Sequence, residues 1–93
     1  MRTAVVIPSF NGRELLARNL PGVVQAARLV GATVTVADDA SVDGTLSWLA
    51  SAHPSNNTIP SAVRLGFARN CNRVFSSIEA DIVVLLNSDV DVD

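Results

Sequence analysis

The sequence predicts an α/β fold: a three-layer, Rossmann-like parallel sheet of about four strands with helices on both faces. Three observations predict it. Apolar, β-rich runs recur at Ala4–Ile7, Thr33–Ala37 and Ala80–Leu86. Segments whose apolar residues repeat at helical spacing lie between them. Strand–helix alternation of this kind closes into a parallel sheet through right-handed crossovers. No internal repeat or low-complexity tract interrupts the pattern, so residues 1–93 read as one domain at most.

The first run, Ala4-Val5-Val6-Ile7, is apolar at every position, as suits a strand buried on both faces. It is expected to stop at Pro8, before the loop Ser9-Phe10-Asn11-Gly12. Asn11 stands three residues before Glu14, a capping-box spacing, and is expected to cap a helix with Leu16, Leu20, Val23, Ala27 and Val30 along one stripe. Pro21 inside that stripe predicts a kink or a second helix entered through Asn19, and Gly31 is expected to end it. Thr33 to Ala37 is the second strand and runs into Asp38-Asp39-Ala40-Ser41. Asp43-Gly44-Thr45 then opens a helix with Leu46, Leu49 and Ala50 on one face. The Pro/Asn/Ser-rich stretch His53–Ser61 is a surface connection with a very short edge strand near Thr58-Ile59. After Gly66, the spacing of Ala68, Cys71, Phe75 and Ile78 predicts a third helix. Ala80 to Leu86 forms the last strand, ending in Asn87-Ser88-Asp89-Val90-Asp91-Val92-Asp93.

The 93 residues are 48% apolar and 17% charged, with seven Arg, no Lys, nine acids and a net charge of −2. This excludes a disordered tail and supports one small domain with a modest core of Val, Ala and Leu. The Arg residues form no basic stripe, so no nucleic-acid partner is expected. Cys71 alone makes no internal disulfide, and with His53 as the single His there is no structural zinc set, which points to a reducing compartment. Met1–Ile7 is too short for a signal-peptide core and no apolar run reaches membrane-spanning length, so a cytoplasmic location without a membrane segment is expected.

Asn11, Asp38, Asp39, Asp89 and Asp91 each follow the carboxyl end of a strand, the edge at which open parallel α/β sheets bind ligands. An ionised acidic pair there is a pure acceptor, suited to the N–H groups of a heterocycle or to ribose hydroxyls. Equally, one of Asp38 and Asp39 could close an Asx turn or cap a helix while the other is solvated, and spacing leaves both readings open. Asp89 and Asp91 offer hard oxygen ligands for Mg²⁺ or Mn²⁺, which could also take diphosphate oxygens and act as a Lewis acid. Spacing alone favours a solvated acidic terminus for them.

Other chemistries fall away. Without Lys there is no phosphate-loop lysine, and no Gly-x-Gly-x-x-Gly follows the first strand. His53 sits in a solvated connection rather than beside a nucleophile, Cys71 lies on an apolar stripe, and Trp48 is expected to pack as core or rim.

Four segments in register carry a resemblance: Val5-Val6-Ile7-Pro8-Ser9-Phe10-Asn11, Val36 to Thr45 with Asp38-Asp39, Leu65-Gly66-Phe67-Ala68-Arg69-Asn70-Cys71-Asn72, and Val84-Leu85-Leu86-Asn87-Ser88-Asp89. Together they resemble the amino-terminal half of a family 2 glycosyltransferase of the GT-A fold, and the likeness covers essentially the whole chain. The resemblance implies a nucleotide-sugar pocket in which Pro8, Ser9, Phe10 and Asn11 line the base and ribose, Asp39 accepts from the base, Asp38 supports it, and Ser88 joins the nucleotide-binding set. It also implies a Mg²⁺ or Mn²⁺ ion. Asn87-Ser88-Asp89 matches the family's Asp-x-Asp motif with Asn87 in place of the first acid, which makes Asp89 the leading ligand and Asp91 the second. Arg64 stands where many relatives carry Asn.

The implied partner is a nucleotide-diphosphate sugar donor of UDP or dTDP type, and the implied reaction is inverting, metal-dependent transfer of a hexosyl or related sugar to an acceptor. Family members continue past the metal motif into an acceptor-binding half with an acidic base. Residues 1–93 are therefore expected to be a donor-binding half without a catalytic residue of its own, inactive alone, and membrane-peripheral only through a longer chain. An apolar edge near Ile82 to Leu86 is expected to be left open and to support a homodimer. The alternative, from another class, is a non-catalytic α/β binding or assembly module that offers its acidic rim to a partner.

Overall fold

The structure, a computed structural model, describes residues 1–87. Its element order is β1 (Thr3–Ser9), α1 (Arg13–Leu29), β2 (Thr33–Asp38), α2 (Thr45–Ala52), β3 (Asn57–Pro60), α3 (Phe67–Phe75) and β4 (Ile82–Leu85). The four strands form one parallel sheet in the order β3-β2-β1-β4. Side chains alternate across each strand, so Val5, Ile7, Val34 and Val36 face α1 and α2, whose Leu16, Leu20, Val23, Ala27 and Leu49 complete the larger core. On the opposite face Val6 and Ala37 pack against Val74 of α3, with Ile59, Phe75 and Ile78 at the margin. Two helices on one face and one on the other make the three layers expected.

Several local details differ from the expectations, each for a physical reason. β1 runs through Pro8 instead of stopping before it, with Pro8 level with Ala37 of β2. The carbonyl of Val6 accepts from Leu86, so Val6 faces the β4 side, and Pro8, two residues on, faces the same side. β4 is paired with β1 only as far as Val6, so the N–H that Pro8 lacks would have met no strand there.

Helix α1 is continuous from Arg13 to Leu29 despite Pro21. Pro21 and Ala17, whose carbonyl loses its partner, both lie on the exposed side of the helix. The expected cap by Asn11 is not formed. Gly12 is the cap residue and makes no side-chain hydrogen bond, while the Arg13 N–H donates to Asp43 Oδ2 across the rim at 3.2 Å. At the other end, Gly31 at φ 70° closes a Schellman turn, its N–H donating to Arg28 and that of Ala32 to Ala27. That turn leaves Val30, assigned to the apolar stripe, exposed.

In α2 the buried residues are Thr45 and Leu49, with Leu46 and Ala50 exposed, because a helix of eight residues over a four-residue edge strand is covered along one narrow line. Helix α3 buries Asn70, Cys71 and Val74 and exposes Ala68. The Asn70 amide donates to the Ala37 carbonyl at 2.9 Å, and this bond turns the helix so that a polar residue faces the sheet. Cys71 is core, as expected, and burial pushes its thiol pKa up, away from a reactive thiolate.

β3 is the short edge strand foreseen near Thr58-Ile59. β4 forms the other edge, and all four of its residues are exposed, between 38% and 44%. An exposed edge alone does not support the homodimer expected through it. Among the described residues no helix is long and apolar enough to cross a membrane.

Candidate functional site

The carboxyl ends of β1 and β2 are joined past their last paired residues. The Asp39 N–H donates to the Ser9 carbonyl at 2.8 Å, and the Ser61 N–H donates to that of Asp38 at 2.9 Å. Three loops therefore meet at one rim, after β1, β2 and β3, as the topology requires of a parallel sheet.

The first two loops are bolted together by their own side chains. The Asn11 N–H donates to Ser41 Oγ and the Val42 N–H donates to Asn11 Oδ1, both at 2.8 Å. Asn11 takes φ 49° to make these bonds, a left-handed conformation that Asn tolerates better than most residues. Asp43 accepts from the Arg13 and Thr45 backbone N–H groups and from the Thr45 hydroxyl. Burial raises the Asp43 pKa, but those hydrogen bonds outweigh it and hold the carboxyl below its ordinary value.

The two acids of the pair have different work. Asp38 is fully buried, and its carboxylate accepts from the Ser41 hydroxyl at 2.6 Å and the Ser41 N–H at 3.0 Å, an Asx-type bond within its own loop. The Asp38 carbonyl accepts from Arg73, whose guanidinium also reaches the carbonyls of Ile59 and Pro60 and the side chain of Asn70. Asp39 points the other way. Its Oδ1 accepts from the Leu65 N–H at 2.7 Å, and its Oδ2 accepts from the Gly66 N–H and from Arg64 Nε, both at 2.9 Å. Burial raises its pKa, yet the two backbone N–H groups and the Arg64 hydrogen bond and charge leave it net below the ordinary value. It is an ionised acceptor at neutral pH.

Around Asp39 lies a small cleft of about 110 Å³, with Pro8, Ser9 and Phe10 from the first loop, Arg64 from the third, and Phe67 and Asn70 from the first turns of α3. Arg64 lies over the Phe10 ring, its Cζ 3.5 Å from the ring centroid. Ser9 is buried, and its hydroxyl has no hydrogen-bond partner among the described residues. A larger cavity of about 350 Å³, by Arg28, Gly31 and Asn56, is at the opposite end of the strands and holds none of the rim groups. The rim is the better candidate because the buried charged acceptor and the orphan hydroxyl converge there.

Of the residues singled out in the sequence, the structure brings Pro8, Ser9, Phe10 and Asp39 to this cleft. It does not bring Asn11 or Asp38, whose side chains bind loop backbone instead. The expectations placed on Ser88, Asp89 and Asp91 lie outside the described residues. Among the described residues no three His, Cys, Asp or Glu side chains converge as metal ligands. Arg64, Phe67 and Asn70 were not singled out as site residues. Two signals were available: Leu65-Gly66-Phe67 follows the third strand as Phe10 and Asp39 follow the first two, and Phe67 and Asn70 lie in the Leu65–Asn72 segment that carries the family resemblance.

A parallel α/β domain with an acidic, aromatic rim of this form is a GT-A-type fold, and solved glycosyltransferases share it. The mannosyltransferase PcManGT from Pyrobaculum calidifontis, in complex with GDP-Man and Mn²⁺, superposes with a TM-score of 0.84 at 27% identity over 97% of this chain and 28% of its own. S. aureus TarS residues 1–349 in complex with UDP-GlcNAc superposes at 0.76 with 22% identity, over 96% of this chain and 27% of its own. The model of the family "Glycosyl transferase family 2" matches residues 4–93, and the chain belongs to that family. A curated relative, the uncharacterized glycosyltransferase YfnE of Bacillus subtilis (strain 168), is 32% identical over 92 residues, 97% of this chain and 24% of its own length. The chain thus spans about a quarter of the relatives it matches.

Proposed function

We propose that this chain binds the nucleotide end of a nucleotide-diphosphate sugar at the rim of β1 and β2, as the donor side of an inverting sugar transferase. The observation that carries the reading is Asp39, a buried, ionised carboxylate that opens into a cleft walled by an aromatic ring. Such a group takes an N–H from a base edge while the ring offers a stacking face. Pro8, Ser9 and Phe10 line the base, Asn11 and Asp38 hold the loops that shape the cleft, and Ser88, outside the described residues, is assigned to the nucleotide-binding set by the family motif alone. The relatives with GDP-Man and UDP-GlcNAc bound support a nucleotide sugar of either base type, to which UDP and dTDP donors are compared first.

The described carboxylates at the rim do not fit a metal, because Asp38 and Asp39 are taken by protein donors. Asp89 and Asp91 fit by donor chemistry, as hard oxygens two residues apart, and would hold Mg²⁺ or Mn²⁺. When bound, such an ion supplies charge neutralisation for a departing diphosphate. The neighbour solved with Mn²⁺ supports this.

The test is a thermal-shift titration with UDP, dTDP and GDP, with and without Mn²⁺, on the wild type, Asp39→Ala and Asp89→Ala. At about a hundred times its dissociation constant a nucleotide stabilises by about 2.7 kcal/mol. A metal-dependent shift lost in both variants is expected, and a folded sample that shifts with none of the nucleotides would overturn the reading.

A further inference from the structure

Arg64 already makes the two contacts expected of a base in this cleft. Its guanidinium is planar, lies on the Phe10 face with Cζ 3.5 Å from the centroid, and donates an edge N–H to Asp39 Oδ2 at 2.9 Å. A nucleobase is also planar, stacks on aromatic rings and carries N–H groups on its edge. With Arg64 in place the cleft holds about 110 Å³, well short of the roughly 300 Å³ at which small-molecule pockets begin.

We propose that Arg64 is an internal competitor of the nucleobase, a residue that fills the site in the free protein and must swing out when a ligand enters. The inference rests on the nucleotide reading above and deepens it. Three features make the exchange feasible. The Arg64 side chain is 53% exposed whereas that of Asp39 is 4% exposed, so the arginine can retreat to water while the acid cannot. Asp39 keeps the Leu65 and Gly66 N–H donors when Arg64 leaves, so the acceptor stays oriented with one position on Oδ2 vacated. Arg64 is also an incomplete substitute: the buried Ser9 hydroxyl, in the same cleft, has no partner among the described residues. A base edge that presents a carbonyl beside its N–H, as in uracil, thymine and guanine, can satisfy both Asp39 and Ser9, which a guanidinium without an acceptor cannot.

The test is calorimetric titration of the wild type, Arg64→Ala and Arg64→Gln with uridine and guanosine, and with their diphosphates. The nucleosides separate competition at the base from the attraction of Arg64 to phosphate. Both variants are expected to bind the nucleosides about tenfold more tightly, the size of one half-exposed ion pair with a cation–π contact. The wild-type Arg64 Nε–H resonance is expected to shift on saturation with the diphosphate. Binding that is unchanged or weaker in folded Arg64→Ala and Arg64→Gln overturns the inference while leaving the nucleotide reading intact. Failure of all three proteins to bind any of the ligands overturns both.

Discussion

Strands β2 and β4 flank β1 on its two sides, run parallel to it and are similarly rich in valine, yet they fare differently. Val34 and Val36 of β2 are 6% and 0% exposed, whereas Val83 and Val84 of β4 are 41% and 38% exposed. β2 has β3 beyond it and helices above and below, while β4 has a strand on one side only among the described residues. The contrast continues at the carboxyl ends, where β2 passes into two acids held by bonds from three loops and β4 passes into an exposed Asn87. Apolar composition marks a strand; burial and function depend on its neighbours.

Four substitutions or conditions would break or sharpen that contrast. The largest effect is expected from Asp39→Ala, which leaves two backbone N–H groups and a guanidinium without their shared acceptor and should cost about 3 kcal/mol in urea unfolding. A loss under about 1 kcal/mol would show that the loops hold without it. Acid should act on the same end of β2. Asp39 and Asp43 have folded pKa values below those of unfolded carboxylates, so the stability they contribute is complete above about pH 4 and is lost as the pH falls through the folded values. Urea midpoints followed downward from neutral pH should fall in that range, and less steeply in Asp39→Ala.

The strands themselves are compared by Val36→Ala against Val84→Ala. The first removes fully buried methyl groups and should cost about 2 kcal/mol, the second less than about 1 kcal/mol. Equal costs would mean that β4 is covered in solution. The smallest change is Ala40→Gly. Ala40 holds φ 60° immediately after the acidic pair, a conformation unfavourable for a residue with a Cβ, so glycine should raise stability by about 0.5–1 kcal/mol in the same assay.

Much of the fold was legible because its signals are local. The alternation of apolar runs with helical spacing placed three of the four strands and the three helices of the described residues, the short edge strand was placed in the Pro/Asn/Ser-rich connection, and Gly31 marked the end of α1. The family's motifs pointed to the rim from the same residues. The boundaries were less legible where a tertiary bond replaced a local one. Asn11 has the spacing of a cap, but its side chain binds Val42, and the first turn of α1 is served by Asp43, thirty residues away. Asn70 sits beside the apolar stripe of its helix, and a single bond to the Ala37 carbonyl brings it inside.

The sequence by itself determined the layers, the strand directions and the gathering of acids at one edge, since these follow from periodicity and from the handedness of the crossovers. Only the tertiary structure decided which acid is bolt and which is acceptor. Asp38 and Asp39 are adjacent and chemically identical, but successive side chains of extended backbone point to opposite sides, and the Asp39 N–H bond to the Ser9 carbonyl carries that alternation one residue past β2. Register then set one against Ser41 in its own loop and the other against Leu65, Gly66 and Arg64, whose side chain rests on Phe10.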